Sequence, residues 1–468
     1  MRRKRNKPNK NVIFALCKKK SMISSNAIQY TLSHLLKVAF PMPEPPGFVF
    51  EVAENSVTVT LAEHLKLRMA QFSNEETALF CNGNAQRLLH HIRSADELAD
   101  IPVFQPVACT LSRPVLNENG ELEIPYDFTT PSFFLLSRAE EHNGQPRDSH
   151  DRFRYEESLA HHYGFIHLPL VDEYALLLRK WVMEILKADW TITPRKHKLI
   201  PTHDIDLLYR FQFPWQAFKS IVGRDLLLEH NWRSTVHSVH EYRQWRIDNR
   251  KDPYITAILE LIRQAEERNL PSVFFFKAQH NGEPDSTYDI DDPRVRYCIE
   301  QIQKAGMTVG IHGSYESYNN PKLFAQEKER LERITGSPIT HCRQHYLRYG
   351  AQTQHVWQAS GITDDYTLCY AEQPGFRCGT CHPYPLYDTE KDCTTHIIEH
   401  PLIVMDGSLF DYLHLDISEC NNLIDNILLQ CQAVEGDFVI LWHNHLLSRS
   451  YRKLYKNIYL PLINNYKP

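Results

Sequence analysis

The second half of the chain alternates two hydrophobic patterns. Short apolar runs, "KLIPTHDID", "PSVFFFKAQH", "MTVGIHGS", "ITHCRQHYL", "GITDDYTLCY", "HIIEHPLIVMD" and "DFVILWHNH", are separated by amphipathic stretches such as "DPRVRYCIEQIQKAG" and "PKLFAQEKERLERITG". Unbroken Val/Ile/Phe runs read as strands buried on both faces, which implies a parallel sheet covered by helices. Seven such runs over residues 195–468 match the size of a (β/α) barrel. The predicted fold class is therefore α/β: a distorted barrel of about seven strands, preceded by a smaller mixed α/β domain at 22–190. Within that domain, "SFFLLSRAEEH" predicts an apolar strand that breaks into a charged turn at Ser137–His142. Apolar positions recurring every three to four residues predict a helix from about Asp172, with Asp172 as its N-cap. "TITPRKHK", residues 191–198, reads as the linker.

Composition narrows the classes. The 468 residues are 42% hydrophobic and 23% charged with a net charge of −5, ordinary for a globular protein. That balance argues against a nucleic-acid partner. The basic opening "MRRKRNKPNKNVIFALCKKK" has only "VIFAL" as an apolar core, too short for a signal peptide, so residues 1–21 read as an unstructured leader. No apolar segment approaches the roughly 18 residues of a membrane span. Eleven scattered cysteines without an export signal suggest reduced thiols and a cytoplasmic protein. "CGTCH", Cys378–His382, has the spacing of haem-attachment, redox or zinc motifs, but there is no second CxxC and we read it as coincidence.

Candidate chemistry gathers at one place in the rhythm. Four apolar runs end in polar clusters, "THDID", "IHGS", "RQHY" and "WHNH", and in a barrel the C-terminal strand ends carry the site. Asp204 and Asp206 stand two apart, on one side of a strand. Two carboxylates that close need a cation to stay ionised together; a bound divalent metal lets one ligate while the other acts as a base. Read alone, the pair also fits a capped strand end. His312 is the next candidate ligand, with Glu316 on its face if the following turn is helical; each also has a purely structural reading. Arg343 can hold a carboxylate ionised by pairing with it, and His345 shares its side. His443 can donate a proton near neutral pH, with His445 in competition.

In order and context these segments resemble the polysaccharide deacetylase (NodB-homology) family. "THDID" resembles its first, aspartate-bearing motif, "HGSYE" its H-S/T-x-x-H motif, "RQHYL" its R-x-P motif, "GITDDYTLCY" its late aspartate strand and "LWHNH" its L-x-H ending. The resemblance covers about 197–445. The segment before it, with "FFLLSRAEEH" and "RDSHDRF", resembles an uncharacterised domain fused to bacterial deacetylases. By resemblance, Asp204 is the catalytic base, Asp206 and His312 bind the metal, Arg343 tethers the base, Asp365 orients Arg343, and His443 is the general acid. Three departures stand out: D-x-D replaces D-D, Glu316 replaces the second ligand histidine, and His345 replaces proline. The third ligand then falls to Glu316 or His345, or no metal is held tightly. The implied activity is metal-dependent hydrolysis, with zinc ahead of cobalt or iron, of an N-acetyl rather than an O-acetyl group on a carbohydrate. The alternatives are a sugar-binding pseudoenzyme, another metal-assisted amide hydrolase, and a scaffold whose N-terminal domain binds a partner.

Overall fold

The computed structural model describes residues 23–466 except 44–45, 63, 98, 143–144, 215–220, 222–231, 280–283, 286–287 and 449–450. The basic leader lies outside the described residues. The chain forms two compact units. One gathers Met1–Arg195, Phe376–Thr395 and Gln430–Gly436; the other gathers Lys196–Gly375, His396–Leu429 and Asp437–Pro468.

The first unit holds strands β1 (Phe48–Ala53), β2 (Ser56–Leu61), β3 (Leu65–Ala70), β4 (Leu89–Arg93), β5 (Asp100–Phe104), β6 (Val115–Leu116) and β7 (Leu122–Ile124). They pair as a five-stranded sheet, β1-β2-β3-β7-β6, and a two-stranded sheet, β4-β5. Its main helices are α1 (Ser25–Ala39), α2 (Thr129–Ser137) and α3 (Leu170–Glu184). Two expectations need correction. "SFFLLS" is the body of helix α2, not a strand, because Asp127 Oδ1 accepts from the backbone N–H groups of Thr129 and Thr130 at 2.9 Å and so caps its start. A short apolar run carries no period that separates helix from buried strand. Asp172 lies inside α3, which begins after Pro169. Its carboxylate accepts from Thr380 Oγ1 (2.6 Å) and Cys381 N (2.9 Å) instead of capping. "CGTCH" is thereby a buried turn whose cysteines are free thiols.

The second unit carries β8 (Lys198–Ile205), β9 (Val273–Phe276), β10 (Thr308–Gly313), β11 (His341–Gln344) and β12 (Asp364–Asp365), with β15 (Leu402–Met405) and β16 (Asp437–Leu441). Between β12 and β15 the chain forms β13 (Tyr384–Asp388) and β14 (Cys393–Glu399). The sheet has nine strands, in the order β13-β14-β12-β11-β10-β9-β8-β16-β15, and eight of them, β14 through β15, pair in parallel. The expected seven is therefore too few. "HIIEHPLIVMD" is two strands, broken at His400–Pro401 because proline has no N–H for a ladder. Its halves go to different places: β14 pairs with β12, β15 with β16 at the far edge. Three peptide steps from Glu399 to Leu402 span at most about 11 Å. The sheet must curl until these distant strands are near neighbours.

Helices α4 (Pro253–Glu267), α5 (Pro293–Lys304) and α6 (Pro321–Thr335) cover the sheet's crossovers, as the periodicity predicts. Each begins with a capping Asp252, Asp292 or Asn320 followed by proline, whose missing N–H costs nothing in the first turn. Ile200, Val273, Phe275, Leu402, Val439 and Leu441, from β8, β9, β15 and β16, pack into one core cluster. The interior is filled by side chains, so polar groups collect at the strand ends.

Candidate active site

Parallel strands put all their C-terminal ends on one edge, and six ends supply the site. Register sets the neighbours: Asp204 lies opposite Phe275, and His312 opposite Arg343. Gly310 and Gly313 frame His312 because β10 is crowded there. A Cβ at 310 would meet the Phe275 ring at 2.6 Å, and one at 313 would meet Gln344 Oε1 at 2.5 Å.

Asp204 is buried, and its Oδ1 accepts from Arg343 Nη1 at 2.9 Å. Burial alone would raise its carboxyl, but the Arg343 guanidinium, with His312 and His443, holds it below the ordinary carboxylate value. Arg343 itself is fixed by donating from Nε to Tyr366 O (2.9 Å) and by lying over the Phe275 ring, 4.7 Å from its centroid. Asp365 does not orient it. The Asp365 carboxylate accepts from Thr367 Oγ1 (2.6 Å) and Cys342 Sγ (3.3 Å), and Arg343 Nη2 has no hydrogen-bond partner among the described residues.

Asp206, His312 and His345 form the candidate metal centre, with one donor atom from each lying within 4.8 Å of the other two. His312 Nε2 is 3.5 Å from Asp206 Oδ1 and 3.6 Å from Asp204 Oδ2. Its Nδ1 bonds Arg343 O at 2.9 Å, which turns Nε2 into the site. Burial lowers the His312 imidazole to about 4, against the pull of both aspartates, so the ring is neutral and free to ligate. His345 Nε2 is 3.7 Å from Asp206 Oδ1, and Asp285 Oδ1 holds its Nδ1 at 3.2 Å, a support the sequence reading missed. The turn carrying His345 is strained: Tyr346 and Leu347 both have left-handed backbones, at φ 60° and 56°. Glu316 is not part of the centre. Residues after Gly313 form a turn rather than a continuing helix, and Glu316 points to solvent. Of the two candidate third ligands, His345 is the one brought together with Asp206 and His312.

His443 Nε2 faces the other oxygen of Asp206, Oδ2, at 3.4 Å, while Nδ1 bonds Asp406 Oδ1 at 2.7 Å. Burial opposes its positive charge, yet Asp406 and Asp206 raise it well above the usual histidine value. Asp406, also unread in the sequence, directly follows β15, as His443 follows β16. His445 is pushed down to about 4 by burial and by the His443 charge, and its ring lies against Tyr254 and Tyr451.

The last unread residue is Lys277, directly after β9. Its side chain is 2% exposed, and Nζ lies 2.8 Å from both Asp206 Oδ1 and His345 Nε2. Asp206 Oδ1 nonetheless lacks a hydrogen bond of acceptable angle, so this contact is one of charge. Burial would raise Asp206; Lys277 first, then His345, His443 and His312, hold it well below the ordinary value.

Among known proteins, a profile for a family of unknown function (DUF7033) matches residues 18–187. No curated protein matches the chain. Similar solved structures include a candidate polysaccharide deacetylase from Mycobacterium smegmatis, at 17% identity over 59% of this chain and 88% of that one, with TM-score 0.37. Another is a candidate polysaccharide deacetylase of O-antigen biosynthesis from Bordetella bronchiseptica, at 14% identity over 58% and 82%, with TM-score 0.31. A third is a CE4 family pseudoenzyme from Bacillus anthracis, at 9% identity over 60% and 68%, with TM-score 0.28. Among the described residues, no helix is long and apolar enough to cross a membrane.

Proposed function

We propose that this protein is a metal-dependent hydrolase that removes an acetyl group, N-acetyl in preference to O-acetyl, from a carbohydrate. One observation carries the reading: an arginine-paired carboxylate, Asp204, sits beside a three-donor cluster whose shared Asp206 also faces a charged histidine. The donor set fits a divalent ion. One carboxylate and two imidazoles are a common catalytic set for zinc, with room left for water or substrate, and both imidazoles are oriented by bonds at Nδ1. Asp206, His312 and His345 would hold it, and when bound it supplies polarisation of an acyl carbonyl and of the attacking water.

The chain's own residues do the rest. Asp204 takes the water's proton on Oδ2, while Arg343 engages Oδ1 and keeps the carboxylate ionised. His443 carries a proton on Nε2 and delivers it to the departing amine nitrogen. Asp406 accepts from Nδ1–H and fixes that tautomer and ring orientation. Base and acid together separate proton removal from proton delivery, so neither step needs a strong solution acid or base. Positioned groups of this kind contribute roughly 10²–10⁴-fold each.

Acetate release from N- and O-acetylated carbohydrates tests the reading, before and after chelation and restoration of Zn²⁺ or Co²⁺. The expected outcome is loss on chelation and recovery on restoration. A second reading, a centre that binds sugar without turning it over, is favoured by the Lys277 ammonium among the ligands. Sugar binding with no acetate release under any metal condition would select it.

A further inference from the structure

We infer that the Lys277 ammonium is a resident occupant of the divalent-ion position, and that loading the centre requires this side chain to withdraw from Asp206 and His345. The inference rests on the metal-centre reading above. Its basis is a coincidence of contacts. Two of the three candidate ligand atoms, Asp206 Oδ1 and His345 Nε2, are the two atoms that Nζ approaches at 2.8 Å. The third, His312 Nε2, lies 3.5 Å from the same Oδ1. An ion drawing these three atoms together would meet the ammonium at the same place, and like charges that close repel strongly in a site of low dielectric.

Charge balance points the same way. Asp204, buried, and Asp206, 23% exposed, stand two residues apart and each meets a cation: Arg343 on Asp204 at 2.9 Å, and on Asp206 Lys277 at 2.8 Å with the His443 imidazolium at 3.4 Å. The pair is compensated before any ion enters. Arg343 and Lys277 differ in how they are held. The Arg343 guanidinium is pinned by a backbone carbonyl and an aromatic face. The Lys277 ammonium sits at the end of a flexible four-carbon stem, held by one hydrogen bond to His345 Nε2 and by a contact with Asp206 that lacks hydrogen-bond geometry. Lys277 is the one that can move. Its backbone is anchored: Lys277 N donates to Tyr288 Oη at 2.9 Å, and that hydroxyl donates to Ile205 O at 2.8 Å. Displacement therefore belongs to the side chain and leaves the strand in place.

The test is calorimetric titration of Co²⁺ and of Zn²⁺ into the chelator-stripped full chain at one fixed pH, comparing wild type with Lys277→Met and Lys277→Gln. Thermal unfolding establishes that the variants are folded. Removal of the ammonium is expected to tighten binding at least about tenfold in both variants, and Asp206→Asn added to Lys277→Met is expected to abolish the gain. Equal or weaker binding in the variants, with clear binding by wild type, overturns the inference and leaves the metal centre standing. Absence of binding in wild type and both variants removes the metal centre itself. A readout on the native chain needs no variant: lysine-selective acylation followed by mass spectrometry. Metal loading is expected to raise labelling of Lys277; unchanged or reduced labelling counts against its withdrawal.

Discussion

Two buried charge clusters, one in each unit, show what separates a structural ion network from a site. In the first unit, Arg138 donates to Glu140 (2.6 Å) and Glu141 (2.8 Å), and Arg377 grips Glu141 through Nε (2.8 Å) and Nη2 (2.7 Å). All four side chains are at most 3% exposed. The network is closed. Burial would raise Glu141, but its two arginines bring it down to about 2, and Glu140 accepts further from Leu159 N at 2.8 Å. The cluster around Asp206 is open. Its aspartate is 23% exposed, one imidazole is neutral and another charged, and Asp206 Oδ1 remains without a directional bond. Buried charge alone does not mark function; incomplete, oppositely poised charge at a strand-end edge does.

That contrast can be broken from either side. Arg377→Met should cost about 3–5 kcal/mol of stability, because it leaves two buried carboxylates, Glu140 and Glu141, sharing the one guanidinium of Arg138, and denaturant unfolding would register it. Asp204→Asn should lower acetate release roughly 10²–10⁴-fold. It also leaves the buried Arg343 guanidinium without its carboxylate, so unfolding is measured beside activity, and a folded variant with wild-type acetate release would remove Asp204 as the base. Asp406→Asn frees the His443 ring from one of its two anchors; a misplaced acid costs about 10²-fold, seen in kcat more than in KM. A last effect accumulates over a pH range rather than at one condition and concerns Glu173, buried in α3, whose carboxyl is raised to about 8 by burial and by Asp96 and Asp172. The folded state keeps its proton where the unfolded chain loses it, so stability falls as pH rises from about 4.5 to 8 and levels above. The slope should be about 1.4 kcal/mol per pH unit. Glu173→Gln should flatten that segment of a pH–stability curve.

Much of the second unit was legible. Asp204, Asp206, His312, Arg343 and His443 stand at or near the C-terminal ends of mostly apolar runs, and parallel-strand geometry delivers them to one edge. Lys277 and Asp406 carry the same signal, in "VFFFK" and "LIVMD", but a single charge after a run resembles an ordinary strand end. Asp406 was further hidden because Pro401 divides what reads as one strand. Asp285 sits in a loop, where no period announces it. Asp365 was placed by motif order alone; β12 is two residues long and turns its carboxylate toward Thr367 and Cys342. Glu316 against His345 depended on whether a turn continues as helix, which four residues of sequence do not decide. Helix α2 was misread because its cap, Asp127, lies before the apolar run and acts through side-chain geometry.

Anomalous diffraction from crystals of the full chain soaked in Zn²⁺ tests the central claim most directly. The account predicts one strong peak within about 2.0–2.2 Å of an Asp206 oxygen and of the Nε2 atoms of His312 and His345, with Lys277 Nζ displaced from both Asp206 and His345. A centre that stays free of zinc under saturating soak, with Lys277 still between its ligands, or a zinc held by Glu316, would contradict it.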